Sequence, residues 1–128
     1  KAFYRGGSAE HDRLAKAKEC AKALNLSEGD AAEVANAAAS WGLFQILGAN
    51  FADCGFRSAT EFATVMATGE PAQLDAVCEF IRKNPNMRDA LINRDWAAFA
   101  RAYNGPAYAK NRYDQKLAAA YAQASTIA

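Results

Sequence analysis

The chain has 128 residues, of which 52% are hydrophobic and 23% charged, a balance typical of one globular domain with a core rather than of a disordered segment. Its net charge is +1, and the charges are interspersed, so we expect neither nucleic acid nor a membrane surface as a partner. No apolar run reaches the roughly 18 residues that a membrane span needs.

The first predicted elements are a turn and a helix. Lys1 to Tyr4 is a short, mixed stretch that predicts one strand of a small β-hairpin, and Gly6-Gly7 reads as a turn. From Glu10 the apolar spacing becomes helical and places on one face His11, Leu14, Ala17, Ala21 and Leu24. Asn25 is a predicted stop, because asparagine tolerates the left-handed conformation that ends helices.

Ser27 is predicted to begin a second helix, since its hydroxyl can cap and acidic Glu28 and Asp30 follow in the first turn. Alanines then recur between positions 31 and 39, and alanine is the strongest helix former. Their small side chains allow close backbone approach. We therefore expect this helix to pack tightly beneath the next stretch, Ser40–Gly48.

The stretch Ala39–Gly48 is apolar but contains Ser40 and Gln45. A buried amide must find hydrogen-bond partners or cost about a kilocalorie or more. One interpretation is a core helix in which Gln45 caps backbone groups. The other is the floor of a cleft, where a polar ligand meets an apolar wall. Residue types alone leave the two open.

The remainder of the sequence predicts further helices. Ser58-x-x-Glu61 is a capping box, and Asp95 is a predicted cap for a helix that ends at Gly105-Pro106. Between them, one helix is predicted to bury a stripe formed by Leu74, Val77, Cys78 and Ile81. We predict an all-α fold over residues 1–128, with about seven helices and at most a small hairpin remnant at the N-terminus, in a single domain.

The three cysteines are Cys20, Cys54 and Cys78, an odd number at wide spacing. They lack the Cys-x-x-Cys spacing of a zinc site, and His11 is the only histidine, so we expect no metal and no cofactor. We interpret the cysteines as free, mostly buried thiols of a protein made in a reducing cytoplasm.

Three ordered motifs together resemble one family. Ser40 through Asn50 match the pattern S-W-G-L-F-Q-I-x-G-x-N, and Asp95 through Ala109 match D-W-A-A-F-A-R-x-Y-N-G-P-x-Y-A. Near the start, Tyr4–Gly7 and Glu10–Leu14 are similar to Y-x-G-G followed by E-Y-D-R-L, with His11 in place of an aromatic residue. The patterns are those of phage-type N-acetylmuramidases, peptidoglycan-degrading endolysin domains of the lysozyme-like superfamily.

The resemblance implies a lysozyme-like fold around a substrate cleft and hydrolysis of the β-1,4 bond between N-acetylmuramic acid and N-acetylglucosamine. Such chemistry usually employs two carboxylates. By resemblance, the general-acid glutamate and its helix are expected upstream of Lys1. Glu10 matches a second family glutamate that could face the cleft. Its alternative role is a favourable charge at a helix start or a salt bridge to Arg13.

Three other acidic residues are weaker candidates. Glu28 and Glu33 precede the Gln45 stretch at roughly the spacing found in related transglycosylases, but the flanking residues of that motif are missing. We expect both on a solvated helix face. Asp53 lies near the cleft motif, and a turn role is favoured for it.

By resemblance, Gln45 and the backbone around Gly42 contact an N-acetyl sugar, and Ser40 positions this segment. Tyr103 and Asn104 are expected to line the opposite wall, since a tyrosine ring suits the apolar side of a sugar. The alternative for this pair is a core aromatic and a helix-end residue. Trp41 is a further candidate, although it is more often a core residue.

Peptidoglycan glycan strands are therefore the expected partner, with the cell wall as the site of action after release or secretion. An alternative is a non-catalytic or processed fragment that binds glycan and completes its site with an N-terminal segment or a cell-wall-binding domain. A third hypothesis is a helical protein-interaction module, which predicts an exposed apolar patch and no groove.

Overall fold

A computed structural model describes residues 8–127, which form seven α-helices and one two-stranded antiparallel hairpin. The helices are α1 (Ser8–Ala23), α2 (Glu28–Ala38), α3 (Ala59–Met66), α4 (Glu70–Lys83), α5 (Pro85–Ile92), α6 (Trp96–Asn104) and α7 (Tyr113–Ser125). The strands are β1 (Ser40–Trp41) and β2 (Ile46–Leu47). The all-α prediction is confirmed. The strand predicted at Lys1 to Tyr4 and the turn predicted at Gly6-Gly7 lie outside the described residues.

The chain divides into two compact units, residues 1–80 and 81–128. In the first unit, α2 contacts both α1 and α3, and a 3-10 turn (Gly48–Asn50) connects the hairpin to the following segment. In the second unit, α6 contacts both α5 and α7, and a second 3-10 turn (Tyr108–Asn111) precedes α7.

The predicted helix boundaries between α1 and α2 are confirmed. Asn25 adopts a left-handed conformation with φ 62° after α1 ends. The Ser27 hydroxyl then accepts a hydrogen bond from the Asp30 backbone N–H at 3.1 Å, which caps α2. Both signals depend on local hydrogen bonds, which is why the sequence alone indicates them.

The core of the first unit is centred on Phe62, which is fully buried. The prediction for α4 is correct for Val77, which is buried, and wrong in phase for Leu74, which is 53% exposed, and for Cys78, which is also exposed. Besides Val77, the helix buries Ala76 and Phe80. An i, i+3, i+4 spacing fits two overlapping faces here, and the face that carries the bulky Phe80 faces the core.

The cysteine interpretation is corrected in part. All three thiols are free, but only Cys54 is buried, whereas Cys20 and Cys78 are exposed.

The apolar face predicted for α1 is correct only for Ala21, which is buried, and in part for Leu14, which is half-buried. His11 and Ala17 are exposed, and Leu24 lies beyond the end of the helix and is 76% exposed. None of the described helices is both long and apolar enough to cross a membrane.

The hairpin rests on the C-terminal part of α2 at very close range. The Gly48 backbone N–H donates to the Ala39 carbonyl at 2.8 Å. A Cβ at position 48 would overlap the Asn36 carbonyl and would lie 3.0 Å from the Cα of Ala37. Only glycine permits this approach, so the predicted tight packing of α2 beneath the stretch is observed.

The N-terminus of α3 is capped by residues from two parts of the first unit. The Ser58 hydroxyl accepts from the Glu61 N–H at 3.0 Å, as predicted, but the Glu61 carboxylate accepts from the Arg57 N–H instead of closing the box on Ser58. Glu33 of α2 supplies the other acceptor, since its carboxylate accepts from the N–H groups of Ala59 (2.6 Å) and Thr60 (2.9 Å).

The expectation of a solvated Glu33 was therefore wrong, and its role predicts a pH-dependent stability. Hydrogen bonds from the Thr60 hydroxyl and from the Ala59 and Thr60 N–H groups hold the Glu33 pKa below its ordinary 4.5. Because the folded pKa is depressed, the stabilisation is complete above pH 4.5 and is lost as the pH falls through the folded value. We expect Glu33→Gln to reduce the free energy of unfolding by about 1 kcal/mol at pH 7.

Urea unfolding at pH 7 and pH 3 checks this prediction. The difference between wild type and Glu33→Gln should shrink as the pH is lowered from 7 towards 3, because protonation removes the advantage of the carboxylate over the amide. Glu28→Gln on the same helix is the control, because Glu28 is exposed and its ion pair with Lys22 at 3.0 Å contributes little. An equal effect of the two substitutions at pH 7 would contradict the capping role.

In the second unit, the Asp95 carboxylate accepts from the Ala98 N–H at 3.0 Å and caps α6, as predicted. Gly105, with φ 86°, ends the helix. Phe99 and Ala100 are buried along α6. Tyr121 of α7 packs against Trp96, with ring centroids 5.3 Å apart.

Candidate functional site

A groove of about 510 Å³ lies in the first unit, between the start of α1 and the hairpin. One side consists of α1 residues and includes Glu10 and His11, and the other consists of the end of α2 and the turn between the strands. The described lining is formed by Glu10, His11, Arg13, Leu14, Ala17, Ala35, Ala38, Ala39, Ser40, Trp41, Gly42 and Gln45. Its floor is thus small and apolar, with polar groups at the rim.

Among the described residues that line the groove, Glu10 is the one with a carboxylate. It is bound to Arg13, whose Nη1 donates to Oε1 at 2.9 Å, and its side chain is 35% exposed. The predicted salt bridge therefore exists, and it lies within the groove. Glu10 is thus both ion-paired and placed at the cavity, and its role in catalysis stays a prediction.

The stretch Ala39–Gly48 forms a hairpin, so the core-helix interpretation is wrong. Ser40 pairs with Leu47 and Trp41 pairs with Ile46. Ile46 is 4% exposed and faces the interior, whereas Ser40 and Gln45 are exposed and line the groove. The hairpin thus buries Ile46 and presents the polar Ser40 and Gln45 to the groove, while Leu43 and Leu47 are exposed as well.

The turn of the hairpin has an unusual backbone. Gly42 has φ 72° and Gln45 has φ 52°, both in the left-handed region. Glycine adopts this conformation freely, whereas glutamine does so at a cost of roughly 1 kcal/mol. The Gln45 side chain donates from Nε2 to the Gly42 carbonyl at 2.9 Å, and the Gln45 N–H donates to the same oxygen at 3.2 Å. Gln45 thus closes the turn that it belongs to.

Trp41 anchors the first strand to the neighbouring helix. Its indole Nε1 donates to the Asn36 carbonyl at 3.0 Å, so the ring is held at the groove wall with its polar edge satisfied. Asn36 is itself buried, and its amide donates to the Thr60 hydroxyl at 3.0 Å. That hydroxyl donates to Glu33 at 2.7 Å, which continues the network to the α3 cap.

Two residues of this arrangement escaped the sequence analysis. Gln73 of α4 accepts from the Leu43 N–H in the turn, and Asn36 supports Trp41. Neither has a local signal, because Gln73 acts on a backbone N–H 30 positions away and Asn36 acts through its own backbone carbonyl, which any residue type would offer. The Asn36 side chain gave a hint only to its other bond, with Thr60, since a buried amide requires partners.

Tyr103 and Asn104 lie in the second unit, at the C-terminal end of α6. The Tyr103 ring is half-buried and stacks on Phe99, with centroids 5.7 Å apart and an interplanar angle of 18°. Asn104 is exposed as the last residue of the helix. Both local settings agree with the structural alternative, and a contact with glycan stays a prediction.

The other acidic candidates lie outside the described lining of the groove. Glu28 is exposed and pairs with Lys22, as expected of a solvated face. Glu33 caps α3. Asp53 is exposed in a turn, where its N–H donates to the Asn50 carbonyl at 3.0 Å. Over residues 8–127, no group of three or more His, Cys, Asp or Glu side chains is arranged to hold a metal ion.

The sequence and the fold are similar to those of known proteins. A model of the family "Muramidase: N-acetylmuramidase" matches residues 1–125. A solved structure described as the crystal structure of Burkholderia AP3 phage endolysin is 36% identical, with a TM-score of 0.80. The match covers 97% of this chain and 44% of the endolysin chain, so the chain spans less than half the length of that protein. No curated protein matches the chain.

Proposed function

The chain belongs to the N-acetylmuramidase family, and from this premise we propose that it hydrolyses the β-1,4 bond between N-acetylmuramic acid and N-acetylglucosamine in peptidoglycan. The observation that carries the proposal is the groove in which Glu10 and the turn residues Gly42 and Gln45 share one described lining. An exposed amide and a half-buried tryptophan around one cavity suit glycan binding, and Glu10 supplies one of the two carboxylates that glycoside hydrolysis usually employs.

We assign to Glu10 the role of the charged carboxylate. Glycoside hydrolysis requires a proton for the departing oxygen and a negative group that stabilises or traps positive charge at the sugar carbon. A carboxylate that accepts a charge-assisted hydrogen bond from the Arg13 guanidinium suits the second task better than the first. The role of proton donor is assigned to none of residues 8–127.

Substrate binding is assigned to the hairpin. Gln45 and the backbone around Gly42 would hydrogen-bond an N-acetyl group of the sugar. Ser40, at the rim of the groove, would position β1 beside that sugar. The ring of Trp41, held by its bond to Asn36, offers an apolar surface at the same wall. Tyr103 and Asn104 are proposed as additional glycan contacts on the strength of the A-R-x-Y-N-G-P motif.

The proposed partner is the peptidoglycan strand, and the proposed place of action is the cell wall, reached after synthesis in a reducing cytoplasm by release or secretion. Three free cysteines and the family's printed description support this proposal. Neither metal nor cofactor takes part in the proposed reaction.

Digestion of purified peptidoglycan, with the released fragments identified by mass spectrometry, tests the proposal. We expect fragments that end in reducing N-acetylmuramic acid. Fragments with anhydro-muramic ends would show that the reaction is transglycosylation and not hydrolysis. Glycan binding without release would favour the alternative of a glycan-binding chain that completes its site with another segment. A protein that fails both to bind and to cleave glycan would overturn the proposal.

A further inference from the structure

We propose that Gln73 is a positioning residue that fixes the hairpin turn and thereby holds Gln45 in its glycan-binding orientation. This inference rests on the proposed function, because it assigns to Gln73 a task in substrate binding. Gln73 lies in the first turns of α4 and is half-buried. It lies outside the set of described residues that line the groove, so any effect on glycan must pass through the turn.

The turn is a segment whose conformation requires restraint. Gly42 and Gln45 both have positive φ, and a non-glycine residue in that region persists only when its surroundings hold it. Each strand of the hairpin has two residues, which is too short for independent stability. We therefore expect that a contact from outside the hairpin is needed to restrict the turn to one conformation.

Gln73 supplies such a restraint through both ends of its amide. Its Oε1 accepts from the Leu43 N–H at 2.9 Å, and its Nε2 donates to the carbonyl of Met66 at 2.9 Å. Met66 ends α3 and is 3% exposed, so the amide connects the exposed turn to a rigid point of the core. Because one end accepts and the other donates, only an amide of this orientation satisfies both groups.

Packing adds to the hydrogen bonds at the same place. A Cβ at Gly42 would lie 3.0 Å from Cγ, 3.1 Å from Cδ and 3.2 Å from Oε1 of Gln73. The side chain thus lies flat against the Gly42 backbone, on which the Gln45 amide also converges at 2.9 Å. Movement of Gln73 therefore shifts the carbonyl to which Gln45 is bound.

The test compares Gln73→Leu and Gln73→Glu with wild type in the full protein that carries this chain, with uncrosslinked glycan strands as the substrate. Gln73→Leu removes both bonds. Gln73→Glu keeps the acceptor for the Leu43 N–H, but it loses the donor and places a carboxylate beside the Met66 carbonyl. Gln115→Leu is the matched control, because Gln115 is an exposed residue of α7.

We expect Gln73→Leu to raise KM by about tenfold to a hundredfold and to leave kcat within about twofold, because Gln45 would bind substrate and transition state alike. The amide proton resonance of Leu43 should shift upfield as its hydrogen bond is lost. Gln73→Glu should raise KM by less, and it carries the test if Gln73→Leu does not fold. Gln115→Leu should match wild type.

A wild-type KM in a folded Gln73→Leu protein that still cleaves glycan would overturn the positioning role and leave the proposed function intact. A loss of activity that only follows the fraction of unfolded protein would overturn it as well. Failure of the wild type itself to bind or cleave glycan would overturn both proposals together.

Discussion

Glu10→Gln is expected to reduce the rate of glycan cleavage by about a hundredfold to a thousandfold, the typical effect of removing one group that stabilises charge in the transition state. Glutamine keeps the size and the hydrogen-bonding oxygen of Glu10 and removes the negative charge that the proposed mechanism needs. The rate of fragment release from purified peptidoglycan, followed with wild type and variant at equal concentration, measures the effect.

Folding should be almost unaffected by this substitution. The pair of Glu10 and Arg13 joins side chains that are 35% and 45% exposed, and pairs of this kind contribute about 0–1 kcal/mol. Asp12→Asn is the matched control, since Asp12 is an exposed residue on the same helix and lies outside the described groove lining. A Glu10→Gln variant with more than a tenth of wild-type activity would contradict the proposed catalytic role and leave Glu10 with a structural role only.

Gly48→Ala is expected to destabilise the fold by about 3 kcal/mol or more and to lower Tm by roughly 10 °C. The added methyl group would overlap the Asn36 carbonyl, which is backbone and also accepts the Trp41 indole N–H. Either the hairpin or α2 must therefore shift, and the groove wall shifts with it. Thermal unfolding followed by circular dichroism measures the change.

Gly29→Ala separates this effect from the general consequences of replacing a glycine. No heavy atom lies within 4 Å of a Cβ built at Gly29, which belongs to the first turn of α2. Alanine there should leave stability unchanged or raise it by up to about 1 kcal/mol. Similar Tm values for the two variants would show that the close contact at Gly48 is not a determinant of stability.

Features fixed by neighbours in sequence could be predicted here. Asn25, Ser27 and Asp95 mark helix ends because each acts on its own backbone or on groups within a few residues. The helical class follows from the same kind of signal, summed along the chain. The resemblance of the motifs to a known family predicted a substrate cleft, which the local signals do not indicate. The structure places Glu10 and Gln45 in the lining of one groove.

Features that depend on distant partners could not be predicted. Glu33 and Thr60 are separated by 27 positions, and no periodicity indicates that one caps the helix of the other. The same holds for Gln73 and Leu43, which are 30 positions apart. The phase of α4 was missed for a related reason, since the choice between two apolar faces is made by what packs against them.

The described lining of the groove runs from Glu10 to Gln45, one continuous segment of the chain. Its walls are therefore joined by α1, α2 and a short turn, all of which form through contacts between near neighbours in sequence. Contacts of this kind close small loops and form early in folding, whereas contacts between distant segments form slowly. The helices α1 and α2 and the turn should thus form early on the folding pathway, whereas the cavity itself appears only when the longer loop between Glu10 and Gln45 closes.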